Sequence, residues 1–252
     1  MIIPRFLLQN KGFCLISLEV DFLLYLVYNY VRILKGEYKL KSERKTFFLF
    51  CFQLVMIFAY TIPQVLNIIS GKTKGLTLVL YGGFMIYITV NLILSIDAYR
   101  VDRTKGRRYL IFIYSLWVLA IGSMFVSGVS KITWREEDTL ISIVIIFLSL
   151  MTLVYFKGVK DPFSKGFLAV WFKSFPQLWL AYTMLSVGTG IGLHPVNVVA
   201  AHCTSIPRLY HVFIVGREGG WDREARGLML SEASNVFTWS IVTIVWIILR
   251  MV

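Results

Sequence analysis

Two Pro-Gln pairs mark the chain, each near the end of an apolar helical segment: Pro63-Gln64 and Pro176-Gln177. Proline lacks the backbone N–H that a helix needs and clashes with the carbonyl four residues earlier, so each helix is expected to break or bend there. In lipid, the freed carbonyls of Ala59 and Phe172 need polar partners, which predicts that both pairs act as hinges beside a protein-walled cavity. Simple kinks between packed helices are the alternative for the prolines. The two glutamines have two alternative roles: they either cap the backbone groups that the prolines free or contact a solute.

Lys173 is the polar residue that packing explains least well. It lies three residues before Pro176, inside an apolar segment and too deep for its ammonium to reach the membrane surface easily. A buried ammonium needs a partner, and Glu232 or Asp97 is the candidate carboxylate. We expect structural pairing as the default, with coupling to an ion or a solute as the alternative.

Other polar and aromatic residues recur at helical spacing in apolar segments, which places them on single helix faces. The sequence predicts solute binding by six of them: Asn91, Trp117, Asn197, His202, Asn235 and Trp239. Like Lys173, His202 is also a candidate for ion coupling, in its case as a proton carrier. A neutral, hydrogen-bonded core histidine is the alternative. For the aromatic residues, plain packing competes with solute contact. Arg208 and His211 are interpreted as residues that snorkel to the cytoplasmic membrane surface.

The elements that position these residues are predicted to be membrane-spanning helices. Hydrophobic residues make up 57% of the 252 residues and charged residues 16%, which is too apolar for a soluble domain. Apolar runs of about 20 residues predict eight spans. They lie at 13–34, 46–70, 76–98, 109–130, 138–157, 164–187, 193–216 and 231–251. The first contains Glu19 and Asp21, so it either crosses the membrane or lies partly in the interface.

The distribution of positive charge predicts the orientation. The net charge is +12, and most Lys and Arg residues follow the first, third, fifth and seventh predicted spans. The positive-inside rule places those segments in the cytoplasm and both Pro-Gln turns outside. This pattern indicates membrane orientation and not nucleic-acid binding, and it favours a plasma or inner membrane over an organelle membrane.

The spans divide the chain into four units: an N-terminal helix and basic loop at 1–45, a three-helix repeat at 46–130, a linking transmembrane helix at 131–162, and a second three-helix repeat at 163–252. An odd number of helices would invert the second repeat, so the linking helix restores a parallel arrangement. The predicted fold is therefore all-α, with two parallel three-helix bundles joined by a linking helix.

The motifs resemble those of the PQ-loop superfamily, which includes the SWEET sugar facilitators and cystinosin-like transporters. Residues 173–177 read KSFPQ, similar to the second-repeat motif of cystinosin-like proteins, and Ile62-Pro63-Gln64 followed by the turn 71–77 is similar to the first motif. The resemblance implies a carrier that moves a small polar solute, such as a sugar, an amino acid or a vitamin precursor, by alternating access.

A membrane receptor or sorting protein of the same architecture, which binds a ligand without transporting it, is the alternative. An enzyme is the weakest hypothesis, because the sequence contains no metal-ligand cluster, nucleophile motif or phosphate-binding loop. We expect no cofactor and no metal. The expected partners are the lipid bilayer and a small polar solute, and association of several copies is left open.

Overall fold

The computed structural model describes residues 28, 42–101, 103, 105–219 and 221–251. The predicted N-terminal unit at 1–45 therefore lies almost wholly outside the described residues. Within them the chain is helical and contains no β-strand, which confirms the all-α prediction.

The helices are α1 Ser42–Ile69, α2 Leu78–Val101, α3 Lys105–Val129, α4 Glu136–Tyr155, α5 Pro162–Ala169, α6 Phe175–Val187, α7 Pro195–Gly219 and α8 Arg223–Met251. A π-helical segment, Val170–Ser174, joins α5 to α6. These three pieces follow one another without a break and form one long helix whose hydrogen-bond register changes in the middle.

Five segments in the described part of the chain are long and apolar enough to cross a membrane. They are Phe47–Ile69, Leu78–Asp97, Arg108–Val129, Glu136–Tyr155 and Ala225–Met251. These helices are compatible with an integral membrane protein. The α5–α6 helix and α7, which correspond to two further predicted spans, are not among the five, so the count of eight spans stays a prediction.

We call α1, α2 and α3, which precede α4, the first set of helices, and the α5–α6 helix, α7 and α8, which follow it, the second set. In the first set, α3 contacts both α1 and α2; in the second, α8 contacts both α7 and the α5–α6 helix. Across the two sets, α1 contacts α7, and α2 contacts the π segment and α6. A hydrophobic core fills the space between the sets, with fully buried Met56, Tyr81, Ile121, Leu180 and Val242 among its members.

Helix α4 lies apart from this core. It packs on α5 and the π segment and only sparsely on α2. Large apolar side chains cover the rest of its surface, including the exposed Leu140, Ile143, Phe147 and Val154. An exposed apolar surface of this extent is expected where a helix contacts lipid hydrocarbon.

The start of α5 is fixed by its capping residue. Asp161 Oδ1 accepts hydrogen bonds from the N–H groups of Phe163 and Ser164, at 2.9 and 3.1 Å, and Pro162 occupies the first turn, where its missing N–H costs nothing. Arg223 at the start of α8 pairs with Asp161 Oδ2 at 2.7 Å. Desolvation raises the pKa of Asp161, but the hydrogen bonds from Arg223, Ser164 and Phe163 outweigh it and leave that pKa below its ordinary value.

The two prolines affect their helices differently. Helix α1 continues through Pro63 to Ile69, so the expected break is absent from the first copy. In the second copy, the π segment lies directly before Pro176, and the Phe175 N–H donates to the Val170 carbonyl five residues back. A methyl group on Gly83 of α2 would lie 2.6 Å from the Phe172 carbonyl oxygen. Gly83 therefore lies at a close contact between α2 and the π segment, where a larger residue would not fit.

Candidate functional site

A cavity of about 100 Å³ lies between the two sets of helices. Its walls come from α1, α2 and α3 on one side and from the π segment, α7 and α8 on the other. We call it the central cavity, and it is lined by Tyr60, Phe84, Tyr87, Ile88, Tyr114, Trp117, Lys173, Ala201, Thr204, Arg208, Glu232, Asn235 and Trp239. Aromatic and charged side chains thus share one small enclosure.

Lys173 and Glu232 form a buried ion pair at this cavity. Their residues are only 8% and 9% exposed, and Lys173 Nζ lies 3.8 Å from Glu232 Oε2. That distance exceeds the 2.7–2.9 Å or so of a charge-assisted hydrogen bond. Glu232 Oε2 has no hydrogen-bond partner among the described residues. The two charges therefore attract each other without a direct hydrogen bond between them.

Of the two carboxylates predicted as partners of Lys173, the structure therefore selects Glu232. Asp97, the other candidate, instead pairs with Arg100 on the same helix at 3.3 Å, where both side chains are largely exposed. The Lys173 ammonium also lies 5.6 Å from the centre of the Tyr87 ring, within the range of a cation–π contact.

Arg208 lines the central cavity, a position that the sequence-based interpretation did not include. Its Nη2 donates to Gln53 Oε1 of α1 at 2.9 Å. The helical spacing of Ala201, Thr204 and Arg208 in α7 was the available signal, because all three line the cavity. The side chain of His211 lies outside the described residues.

Three aromatic rings form one wall of the cavity. Tyr60 and Trp117 meet edge to face, with ring centres 5.5 Å apart, and Tyr60 and Trp239 meet at 89° with centres 6.4 Å apart. The sequence singled out Trp117 and Trp239, but Tyr60 was missed although it lies three residues before Pro63. Such rings offer flat apolar surface and, through the phenol and indole groups, polar edges.

Gln64 is fully buried and does not line the cavity. Its Nε2 donates to the Gly192 carbonyl at 2.9 Å, and its Oε1 accepts the His194 N–H at 3.1 Å. The side chain therefore ties α1 to the backbone just before α7.

Gln177 is also fully buried, and it links α6 to α8. Its Nε2 donates to Asn235 Oδ1 at 2.9 Å, while Thr238 Oγ1 donates to its Oε1. Because Asn235 itself lines the central cavity, Gln177 positions a cavity residue from behind.

The structure places the other predicted site residues away from the cavity. Asn197 is buried and donates to the Tyr60 carbonyl at 2.7 Å, close to Pro63. His202 is half-buried, and its Nε2 lies 2.8 Å from Thr243 Oγ1. Asn91 donates to the Tyr87 carbonyl of its own helix at 2.9 Å.

The two turns that follow the Pro-Gln helices contact each other. The Gly192 N–H donates to the Lys74 carbonyl at 3.1 Å. Gly75, with φ 82°, has no room for a side chain, because a Cβ there would lie 2.3 Å from the Thr189 carbonyl oxygen. Both motif turns therefore lie on the same face of the molecule.

A second buried acidic residue, Asp138, was missed by the sequence reasoning. At the start of α4, its Oδ1 accepts hydrogen bonds from Thr77 at 3.1 Å and Trp179 at 2.6 Å, and its Oδ2 accepts the Arg135 N–H at 3.0 Å. Asp138 thus joins α4 to α2 and α6. The position of Asp138 in the first turn of a helix could have pointed to a capping role. No local pattern in the sequence indicated its distant partners, Thr77 and Trp179.

Comparisons with known proteins add no relative. No protein-family model matches the chain, and neither a curated protein nor a solved structure matches it. Within the part of the chain that the structure describes, no cluster of three or more His, Cys, Asp or Glu side chains is arranged to hold a metal ion.

Proposed function

We propose that the protein is an integral membrane carrier or facilitator of a small polar solute and a member of the PQ-loop superfamily. The solute class is a sugar, an amino acid or a vitamin precursor, and the membrane is a plasma or inner membrane. The two repeats at 46–130 and 163–252 are proposed to alternate access to the central cavity from the two sides.

The observation that carries this proposal is the composition of the cavity. Lys173 and Glu232 are buried in the middle of helices, where charged side chains are costly unless they pair or serve a polar pathway. Glu232 Oε2 accepts no hydrogen bond from the described residues, so it is an acceptor for a polar solute once the cavity opens. Asn235 adds an amide held in place by Gln177.

The packing of the helices supports the same proposal. In each set of three, the third helix contacts both others, and the sets meet through α1 with α7 and through α2 with the π segment and α6. The first helix of each set thus faces the second helix of the other, as a two-fold related pair of repeats would.

The size of the cavity indicates a constricted state of such a carrier. Its volume is about 100 Å³. Small-molecule sites typically measure about 300–1,000 Å³. A sugar or an amino acid therefore fits only after the two sets of helices separate. The π segment and Pro176 supply the place where the α5–α6 helix bends, while the buried Gln64 holds α1 to the backbone before α7.

Uptake by proteoliposomes tests the proposal. The full chain would be reconstituted and assayed with a panel of sugars, amino acids and vitamin precursors, with and without a pH gradient. Uptake of one class is the expected result. Saturable binding without uptake would instead favour the receptor hypothesis, and neither binding nor uptake across the panel would refute both.

A matched pair of variants on α3 shows whether the central cavity is responsible. Trp117→Leu alters the cavity wall, whereas Phe112→Leu alters a side chain that is 50% exposed and lies outside the cavity lining. We expect reduced uptake only for Trp117→Leu. Equal uptake by both variants would exclude this cavity as the solute site.

A further inference from the structure

An apolar groove of about 360 Å³ lies between α2, α4 and α5, outside the central cavity. We call it the tail groove, and its walls include Val90, Leu94, Leu150, Leu153, Leu168 and Phe172. The volume falls within the range of about 300–1,000 Å³ that is typical of small-molecule sites. The groove exists because α4 packs on α5 but only sparsely on α2.

The groove offers a ligand apolar surface and little else. Asn91 and Ser149 in its lining donate within their own helices, to the Tyr87 carbonyl at 2.9 Å and to the Ile145 carbonyl at 2.7 Å, and the Tyr87 hydroxyl lies 3.4 Å from Ser231 Oγ. Ile93 and Leu150 on its rim are 54% and 56% exposed. Because α2 and α4 are long and apolar enough to cross a membrane, we expect this rim to face hydrocarbon.

A polar pocket of about 220 Å³ adjoins one end of the tail groove. We call it the head pocket. It shares Tyr87, Asn91 and Lys165 with the groove and adds Lys160 and Ser231. Lys160 and Lys165 are exposed, and the pocket lining contains no acidic residue. The apolar tail groove thus continues into the head pocket, whose charged side chains are lysines.

We propose that the tail groove and the head pocket bind one anionic phospholipid of the cytoplasmic leaflet. An acyl chain fills the groove, and the phosphate lies between Lys160 and Lys165. Basic pockets between transmembrane helices on the cytoplasmic side select anionic headgroups by charge. The fifth predicted span ends in this lysine-rich loop, which the positive-inside rule places in the cytoplasm.

Charge also argues against the chain's own N-terminal segment as the occupant. The end of that segment carries Arg32, Lys35, Lys39 and Lys41, which would be repelled by Lys160 and Lys165. A lipid phosphate complements the same two lysines.

Native mass spectrometry of the full chain tests this proposal. The protein would be released from nanodiscs that contain equal amounts of phosphatidylglycerol and phosphatidylcholine, and the retained lipids counted. The wild-type chain should retain phosphatidylglycerol in preference. Each lysine near an anionic lipid is worth about 1 kcal/mol, so Lys160→Gln with Lys165→Gln should weaken retention about 30-fold. Lys157→Gln is the matched control, because Lys157 lies in the same loop but lines neither chamber.

A second pair of variants tests the groove itself. Leu150→Trp fills the groove, and Ile143→Trp adds the same bulk to a side chain of α4 that is similarly exposed but outside the lining. Only Leu150→Trp should lose the bound lipid, and equal melting temperatures of the two variants would show that both fold.

Three outcomes would overturn the proposal. The first is equal retention of both lipids, or of neither, by the wild-type chain. The second is equal phosphatidylglycerol retention by the double-Gln variant and Lys157→Gln, or by the two Trp variants. The third is a change in solute uptake by the double-Gln variant without a change in lipid retention, which would assign the head pocket to the solute path. Loss of lipid with uptake intact supports the proposal whether or not the proposed carrier function holds.

Discussion

Replacing Lys173 with Met should destabilise the protein by about 3–5 kcal/mol, the usual cost of removing one partner from a buried ion pair. The geometry supports this magnitude. At 3.8 Å between Lys173 Nζ and Glu232 Oε2, the attraction is about 4 kcal/mol for an effective dielectric constant of about 20. Since Glu232 Oε2 lacks a hydrogen bond among the described residues, nothing local would replace the lost charge. Met keeps the apolar stem, so packing changes little.

A double-mutant cycle separates the interaction energy of Lys173 with Glu232 from the effect of each single substitution. Glu232→Gln alone should destabilise by a similar amount, because it strands the ammonium. The double variant Lys173→Met with Glu232→Gln should recover most of the loss, since neither charge is left buried alone. Stability would be measured by thermal unfolding in detergent, where a loss of about 3 kcal/mol corresponds to roughly 6–12 °C for a chain of this size.

The exposed pair of Arg100 and Asp97 is the control. Its atoms are closer, at 3.3 Å, but the side chains are 75% and 51% exposed, so Arg100→Met should change stability by only about 0.5 kcal/mol. Additive losses in the Lys173 and Glu232 cycle would refute the coupling that the geometry implies. A folded double variant with unchanged uptake would refute any role of the pair in transport.

Three further predictions concern residues outside the central cavity. Gln64→Leu removes the hydrogen bonds that Gln64 makes with the Gly192 carbonyl and the His194 N–H, and it should cost about 1–3 kcal/mol, measured by thermal unfolding; an unchanged melting temperature would show that this link between α1 and the backbone before α7 is dispensable. Asp138→Asn should destabilise by about 3 kcal/mol, because it removes the charge that accepts the Trp179 indole N–H, and loss of indole hydrogen-exchange protection should accompany it. The lowered pKa of Asp161 contributes stability above the ordinary carboxyl range that is lost as pH falls through the folded-state pKa. The stability difference between wild type and Asp161→Asn, which weakens the contact with Arg223, should therefore vanish in acid, and a pH-independent difference would contradict this assignment.

Some tertiary contacts could be predicted from residue type alone. Lys173 was expected to need a carboxylate, because an unpaired ammonium in hydrocarbon is costly, and the structure supplies Glu232. The cost of an unpaired buried charge is large enough for this need to be evident from one residue.

Local composition, together with the need for backbone hydrogen bonds in lipid, was enough to predict that the described part of the chain is helical and apolar enough for a membrane. Helical spacing also placed polar residues on common helix faces. Which of these faces meet depends on tertiary packing: Arg208 lines the cavity, while His202 pairs with Thr243. Helical periodicity fixes the angle between residues on one helix, but the rotation of that helix about its axis depends on every neighbour it packs against. The partners of Gln64 and Asp138 depend on residues far along the chain, so no local pattern could identify them.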